Sequence, residues 1–192
     1  MHDGRGILLT KEISAGRLGE LTSGLDFTGV MIGSVVPEKS RTLREFFAAA
    51  HPVHSLGHKS PLGIAIDYPQ PAQIGADRLA NAVGVYERHG APAIVIDFGT
   101  AVTFDIVSGE PAYCGGVIAP GLGAMSGYLN EKTALLPKIE LEEPSSAIGK
   151  STVLAMQSGA IFGYRGLVRG ILSEIRRELA GDPKIIATGG EA

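Results

Sequence analysis

Short apolar runs alternate with amphipathic segments along most of this chain. Apolar runs bounded by Gly, Pro or polar residues predict strands, and apolar residues repeated every three or four positions predict helices. The predicted strands cover residues 6–10, 28–36, 93–97, 102–107, 113–119 and 184–188. The predicted helices cover residues 41–50, 76–89, a segment after Gly121, and 151–180, while residues 51–71 should be loop with brief strands. Strands and helices in this order indicate an α/β fold.

The patterns inside two of these elements predict which side chains share a face. In the helix at 76–89, Leu79, Val83 and Tyr86 fall on one side, as in an amphipathic helix. In the strand at 102–107, apolar residues alternate with the polar residues at positions 103 and 105. Because successive side chains of a strand point to opposite faces, the two polar residues should share one face.

The long helix at 151–180 carries four glycines on one side, at spacings of four, three and four. Glycine weakens a helix by about 1 kcal/mol relative to Ala, so this glycine stripe predicts a very close packing contact with another helix or with a sheet. Arginines within the stripe make a membrane helix the weaker alternative. The stripe consists of Gly159, Gly163, Gly166 and Gly170.

The composition limits the classes of protein to which this chain can belong. A chain of 192 residues with 44% hydrophobic and 19% charged residues is ordinary for a globular protein and can bury a core in one domain or two small lobes. The net charge of −3 and the dispersed basic residues argue against a nucleic-acid-binding surface. The single cysteine, Cys114, excludes an internal disulfide and a cysteine-based zinc site. With no apolar signal core and no run long enough to span a bilayer, we expect a cytoplasmic protein.

The strongest chemical signal lies where an apolar run meets Asp97. A turn at Gly99 follows, and then the hydroxyls of Thr100 and Thr103. A strand that ends in Asp-x-Gly-Thr presents backbone N–H groups and a hydroxyl to an anion, with a carboxylate beside them. Such a segment can hold the phosphates of a nucleotide together with the accompanying cation, which indicates a phosphoryl-transfer protein.

A second candidate site opens the helix at 76–89, where Asp77 and Arg78 lie in the first turn. The helix dipole alone favours an aspartate there, so Asp77 could be a structural capping residue. It could equally be a general base that takes a proton from a substrate hydroxyl, with Arg78 binding a carboxylate or phosphate of the substrate. The chemistry of the residues leaves both interpretations open.

Two glycine-containing segments complete the candidate chemistry. The segment 115–121 ends a strand with Pro-Gly before a helix, which suits either a close approach to a ligand or a plain β–α turn. The segment 149–152, Gly-Lys-Ser-Thr, is similar to the end of a P-loop, but that motif requires a glycine where this chain has Pro144. Ser151 is therefore predicted to cap the following helix, with Thr152 exposed at its start.

Five short blocks of the chain, taken in order, carry a family resemblance. They are Gly75-Ala76-Asp77-Arg78 with Asn81, the segment 97–105, the segment 115–121, Ser151-Thr152 with Gln157-Ser158-Gly159, and Ala187-Thr188-Gly189-Gly190. Together they resemble the type III pantothenate kinase family over nearly the whole chain. The resemblance implies an actin-like, ribonuclease-H-like ATPase fold of two related lobes with the active site between them. It also implies ATP-dependent phosphorylation of pantothenate to 4'-phosphopantothenate, the first committed step toward coenzyme A.

The resemblance implies roles for residues on the substrate side. Asp77 would be the base that accepts the proton of the pantothenate hydroxyl. The residues that would line the pantothenate pocket are Tyr68, Gly75, Arg78 and Thr152. The family is typically a homodimer in which the partner closes each pantothenate pocket, and the glycine stripe is a candidate for that contact.

On the nucleotide side, the resemblance implies that Gly99, Thr100 and Thr103 form the second phosphate-binding motif for ATP, which is used with Mg²⁺. Asp97 would hold the monovalent cation, K⁺ or NH₄⁺, on which the family depends. The residues expected to lie toward the adenosine are Thr188, Gly189 and Gly190. Phosphoryl transfer is mostly positioning and charge neutralisation, so a proton acceptor, a phosphate-binding turn and cations suffice.

The chain departs from the family at both ends. These kinases begin with a strand and an Asp-x-Gly-Asn-Thr loop, the first phosphate motif, for which residues 3–6 are the only candidate. The chain also stops soon after Gly190, where the family continues with further helix and strand. Residues 1–90 would then be an incomplete N-terminal lobe, and residues 91–192 a C-terminal lobe truncated at its end. We therefore expect weak or no kinase activity from this polypeptide.

Two alternatives to a pantothenate kinase stay open. A catalytically silent relative would keep the fold and bind a ligand or a partner without phosphoryl transfer. A sugar or acetate kinase on the same fold is a weaker rival, because the Gly-Ala-Asp-Arg block is not expected there.

Overall fold

The structure, a computed structural model, describes residues 15–192 and shows a mixed α/β fold. The predicted strand at 6–10 and the candidate first phosphate motif at 3–6 lie outside the described residues. Helices α1 to α5 span Ala15–Thr22, Pro37–Ala48, Ala76–His89, Leu122–Lys132 and Thr152–Glu178. Strands β1 to β7 span Val30–Ile32, Val53–Ser55, Ala65–Ile66, Ala93–Phe98, Ala101–Val107, Ala112–Pro120 and Lys184–Thr188.

Five strands form the main sheet, in the order β3-β6-β5-β4-β7. Strands β4, β5 and β6 follow one another in the chain and pair antiparallel, whereas β7 pairs parallel with β4 and β3 pairs parallel with β6. Strands β1 and β2 form a separate two-stranded parallel sheet beside α2. The central strands β4 and β5 are covered on both faces, which explains why most of their residues are apolar.

The main sheet separates two apolar clusters. On one face, α3 packs Leu79 against residues of the central strands that include Val107. On the other face, Ile96 and Phe104 pack against α5 around Tyr164. Alternate residues of β4 and β5 enter each cluster, because successive side chains of a strand point to opposite faces.

Helix α3 has the predicted bounds, but its most buried side differs from the predicted one. Leu79 is buried as expected, whereas Val83 and Tyr86 are only half-buried, and Ala82 and Val85 are buried in their place. Ala82 is small enough to let the helix approach the sheet closely. A pattern of large apolar residues does not detect such a position.

The segment before α3 differs most from the prediction. The predicted strand at 28–36 is reduced to β1, and Val35 and Val36 are exposed. Pro37 explains the change, because it cannot continue a strand ladder but suits the first turn of α2. That helix therefore begins four residues before the predicted helix at 41–50. The later predicted strands and helices are confirmed within two residues at each end that was predicted.

The glycine stripe of α5 is exposed, and a Cβ built on any of its four glycines would meet nothing within 4 Å beyond its own helix. The predicted close packing contact is therefore wrong for the part of the chain that the structure describes. The helix packs on the sheet through a different side, which carries Tyr164, Val168 and Ile175. Within residues 15–192, no helix is both long enough and apolar enough to cross a membrane.

Candidate active site

The start of α3 presents a carboxylate to solvent. Gly75 precedes the helix in an extended conformation, and Asp77 lies in the first turn with an exposed side chain. Its Oδ1 accepts a hydrogen bond from the backbone N–H of Arg78 at 2.9 Å. A Cβ at position 75 would lie 2.3 Å from that Oδ1 and 3.3 Å from Val35 Cγ1, so only glycine leaves the carboxylate in this place. Asp77 satisfies one free N–H of the helix end and still faces solvent.

The side chain of Arg78 turns inward, onto the face of the sheet that α3 covers. Its Nε donates to Asp105 Oδ1 at 2.6 Å, and its Nη2 donates to the Phe104 carbonyl oxygen at 3.3 Å. The guanidinium carbon lies 5.7 Å from the centre of the Tyr113 ring, within cation–π range. Gly116 leaves room for this path, since a Cβ there would lie 2.3 Å from Nη2.

Asp105 is a carboxylate in the core strand β5 with no exposed surface. Besides Arg78, the Tyr113 hydroxyl donates to its Oδ1 at 3.5 Å. Its Oδ2 accepts hydrogen bonds from Asn81 Nδ2 at 3.2 Å and from the Thr103 hydroxyl at 3.5 Å. Burial raises the pKa of Asp105, and the charge of Arg78 offsets part of that rise. Burial also raises the pKa of the Tyr113 hydroxyl, which therefore remains a proton donor.

Asn81 joins this buried group to the turn that follows β4. Its Nδ2 donates to Asp97 Oδ2 at 3.0 Å as well as to Asp105. Asn81 lies about one helical turn after Asp77, so the two Cα atoms are about 6 Å apart along the helix axis. Asn81 thereby links the carboxylates of Asp97 and Asp105, and Asp105 is also paired with Arg78.

Close backbone contacts build the turn after Asp97. The Gly99 N–H donates to the Ala101 carbonyl oxygen at 3.2 Å, and the Gly121 N–H donates to the Thr100 carbonyl oxygen at 3.1 Å. A Cβ at position 121 would lie 2.2 Å from the Gly99 carbonyl oxygen, so the start of α4 lies directly against the turn. The free N–H groups at the start of α4 favour an anion at this turn.

The end of β7 joins the same turn. Thr103 and Thr188 both pair with Asp97 in the sheet, one on each side. Gly189 has a φ of 104°, and a Cβ there would lie 2.6 Å from Asp97 Oδ1. Gly190 follows in the next turn. The structure thus brings the predicted phosphate-side and adenosine-side residues together around Asp97.

The residues predicted for the pantothenate pocket fall in two places. Tyr68 lies beside Tyr113, with ring centres 6.2 Å apart, and so lies on the same side of the sheet as Arg78. Thr152 begins α5 and is exposed, and Ser151 caps the helix by accepting a backbone N–H bond at 3.2 Å, as predicted. Thr152 lines an apolar cavity of about 460 Å³ between α4 and α5, whose lining residues are separate from the cluster around Arg78.

Sequence reasoning assigned no role to four residues of this cluster: Asn81, Asp105, Tyr113 and Gly116. A signal for Asp105 was present, because a charged residue is rare inside a buried strand unless it is paired. The roles of Tyr113 and Gly116 depend on β6 lying beside β5, which only the tertiary structure reveals.

Comparisons with known proteins agree with this geometry. A family model described as type III pantothenate kinase matches residues 10–174. The type III pantothenate kinase of Akkermansia muciniphila is 52% identical over 183 residues, which cover 95% of this chain and 75% of that protein. Proteins of the same name from Methylacidiphilum infernorum and Koribacter versatilis are each 45% identical; the matches cover 94% and 84% of this chain, and 67% and 60% of those proteins.

A solved structure also shares the fold. A Campylobacter jejuni protein, described as belonging to the Baf family of transcriptional activators, superposes with a TM-score of 0.58. The match covers 94% of this chain and 75% of that one, at 20% sequence identity. At this identity the similarity supports the α/β fold and carries no statement about activity.

Proposed function

The chain belongs to the type III pantothenate kinase family, and on that premise we propose that it transfers the γ-phosphoryl group of ATP to the pantothenate hydroxyl with Asp77 as the proton acceptor. It is a phosphotransferase of coenzyme A biosynthesis whose substrates are pantothenate and ATP. One observation carries the role of Asp77. Its carboxylate is exposed at the start of α3, one helical turn before Asn81. Asn81 in turn hydrogen bonds to Asp97, the first residue of the turn 97–100 that is proposed to bind phosphate.

The proposed reaction needs a proton acceptor and an anion site close to each other. The pantothenate hydroxyl loses a proton as its oxygen attacks the γ-phosphorus, and Asp77 accepts that proton. The backbone N–H groups at the start of α4 bind phosphate oxygens, with the hydroxyls of Thr100 and Thr103 beside them. Thr188, Gly189 and Gly190 extend the site toward the adenosine.

The oxygen atoms around Asp97 suit hard cations. Kinases of this class use ATP with a divalent metal, and Mg²⁺ is usually held by one or two carboxylates plus substrate phosphates. This fits residues 15–192, in which no three His, Cys, Asp or Glu side chains group to hold a metal ion. We assign Asp97, flanked by Thr103 and Thr188, to a monovalent cation, K⁺ or NH₄⁺. When bound, the cations neutralise charge on the transferring phosphoryl group.

We assign the pantothenate pocket to Tyr68, Gly75 and Arg78 on the α3 side of the sheet. Thr152 lies in the separate cavity between α4 and α5, and we assign its contact with pantothenate to a second copy of the chain. This separation favours a homodimer.

The wider architecture in this proposal is the actin-like fold of two related lobes. Residues 1–90 are assigned to an N-terminal lobe and residues 91–192 to a C-terminal lobe. The separate sheet of β1 and β2 supports a distinct N-terminal unit, whereas β3 and α3 of the same range belong to or pack on the main sheet. The predicted cytoplasmic location stays a prediction.

An assay that couples ADP release to NADH oxidation tests the proposed activity. With Mg²⁺, ATP and K⁺ or NH₄⁺ present, ADP release should depend on added pantothenate and should be lost in Asp77→Asn. Asp182→Asn, which changes an exposed carboxylate paired with Arg176, is the matched control and should retain activity.

Calorimetry separates the kinase from a silent relative if no ADP is released. Mutually dependent binding of pantothenate and ATP without turnover would identify a catalytically silent member of the family. Failure to bind either substrate would contradict the proposed function for this polypeptide.

A further inference from the structure

Asp105 is a buried charge that the proposed chemistry does not use. It lies on the face of β5 that α3 covers, in the same row as the buried Val107. A buried carboxylate is costly, and a well-packed apolar group at such a position is often as stable or more stable. The packing of the fold therefore gives no reason for an acid at this position.

The partners of Asp105 come from three elements of the fold. Arg78 and Asn81 lie on α3, Thr103 on β5 and Tyr113 on β6, and all four donate hydrogen bonds to its carboxylate. The two partners from α3 are the ones that continue into the candidate active site. Asp105 thus contacts Arg78, which is assigned to the substrate site, and Asn81, which binds Asp97 at the cation site.

Its contact with Arg78 sets the direction of the guanidinium. Nε is bound to Asp105 and Nη2 to the Phe104 carbonyl oxygen, and a planar group held at two nitrogens cannot rotate. Nη1 makes no hydrogen bond within the described residues, and the Arg78 side chain keeps 14% of its surface exposed. One edge of Arg78 is therefore left for the carboxylate of a ligand.

Its contact with Asn81 sets the orientation of the Asp97 carboxylate. A single amide nitrogen, Nδ2, donates to both Asp105 Oδ2 and Asp97 Oδ2. The shared donor fixes the Asn81 amide and, through it, the carboxylate of Asp97. Loss of the Asp105 acceptor would release this amide and change the orientation of Asp97.

We propose that Asp105 is a positioning residue that orients Arg78 toward the pantothenate carboxylate and Asn81 toward the cation-binding carboxylate of Asp97. One buried group thereby sets the geometry of the substrate site and the cation site together. The identity of the two ligands rests on the proposed function, whereas the orientation of Arg78 and Asn81 does not.

The near-isosteric variant Asp105→Asn tests this role kinetically. The KM for pantothenate and the K⁺ concentration for half-activation should each rise roughly tenfold or more, the effect of losing a charge-assisted hydrogen bond. The KM for ATP should change by less than about twofold. Asp182→Asn, whose pair with Arg176 is exposed, should leave all three constants unchanged. A lower fraction of active enzyme, with the KM values for pantothenate and ATP and the K⁺ concentration for half-activation all unchanged, would show a purely structural role. That result would overturn the proposal.

A second measurement is independent of activity. In the ¹⁵N spectrum of the wild-type chain, the Arg78 Nε–H, assigned with Arg78→Lys, should be protected from solvent exchange. That protection should fall in Asp105→Asn or, if that variant does not fold, in Asp105→Glu, which keeps the charge but displaces the carboxylate. A rapidly exchanging Arg78 Nε–H in the wild type would overturn the proposal. Absent ADP release with a protected Nε–H would contradict the proposed function alone.

Discussion

The two faces of the main sheet are covered by helices of different character. On the α3 face, Arg78, Asn81 and Asp105 form a hydrogen-bonded group inside an otherwise apolar cluster. On the α5 face the cluster around Phe104 is apolar, and the helix leaves its glycine stripe exposed. The polar residues of the candidate site therefore lie on the α3 face, whereas the α5 face contributes mainly apolar packing. Changes in the hydrogen-bonded group on the α3 face should alter activity, and changes in the apolar cluster under α5 should alter stability.

The largest effect on activity is expected at the exposed end of α3. Asp77→Asn removes the proposed proton acceptor and should lower kcat by about 10²–10⁴-fold. Thermal stability should stay close to wild type, because the side chain is exposed. Steady-state kinetics and a thermal melt measure the two quantities. An active variant, or an inactive and unfolded one, would break the assignment of chemistry to this face.

The largest effect on stability is expected on the α5 face. Phe104→Ala removes a fully buried ring and should lower the free energy of unfolding by about 3–5 kcal/mol. Urea denaturation measures the change, and Ile118→Ala is the control, since Ile118 is 63% exposed. The control should change stability by less than about 0.5 kcal/mol. A loss of similar size in both variants would show that burial does not decide the difference.

A smaller effect on activity is expected where the start of α4 contacts the turn 97–100. Gly121→Ala places a Cβ 2.2 Å from the Gly99 carbonyl oxygen, so the turn must move. The kcat/KM for ATP should fall by up to about a hundredfold, the effect of misplacing reacting groups by about 1 Å. Gly127→Ala in the same helix is the matched control, because its Cβ would meet nothing within 4 Å. Equal behaviour of the two variants would contradict a phosphate site at this turn.

The smallest effect is expected in the glycine stripe. Gly163→Ala should stabilise an exposed helix by up to about 1 kcal/mol, since its Cβ would meet no other part of the described chain. Chemical denaturation and sedimentation measure stability and oligomeric state. A gain in stability with unchanged assembly fits an uncovered stripe. A loss of stability together with a weaker dimer would instead place the stripe at the interface between two copies.

The sequence predicts strands and helices well wherever local pattern and packing agree. The bounds of α3 follow from its periodicity and from Gly90, and the position of β4 follows from its apolar run. The segment 28–36 looks equally apolar, but Pro37 begins a helix there and removes most of the strand. The length of a strand depends on its partner, and a single sequence does not show that β1 pairs with the short β2.

The candidate site also contains residues that local pattern predicts and residues that only tertiary contacts reveal. Asp77 and Asp97 could be predicted because each lies at the end of an element, where exposed polar groups accompany free backbone N–H groups. Asp105 and Tyr113 could not be assigned, because their contacts join strands and a helix that are distant in the chain. The glycine stripe misled the prediction for a physical reason. Glycine spacing shows which residues share a side of a helix, and not what lies opposite that side.

Mass spectrometry of the reaction product tests the central claim most directly. The wild-type chain, incubated with Mg²⁺, K⁺, ATP and pantothenate, should slowly convert pantothenate to a species heavier by one phosphoryl group, with an equal amount of ADP. Asp77→Asn, folded to the same extent, should form this product at least about a hundredfold more slowly. The same rate of product formation in both proteins would contradict the role of Asp77. ADP formation without phosphorylated pantothenate in the wild type would contradict the proposed function itself.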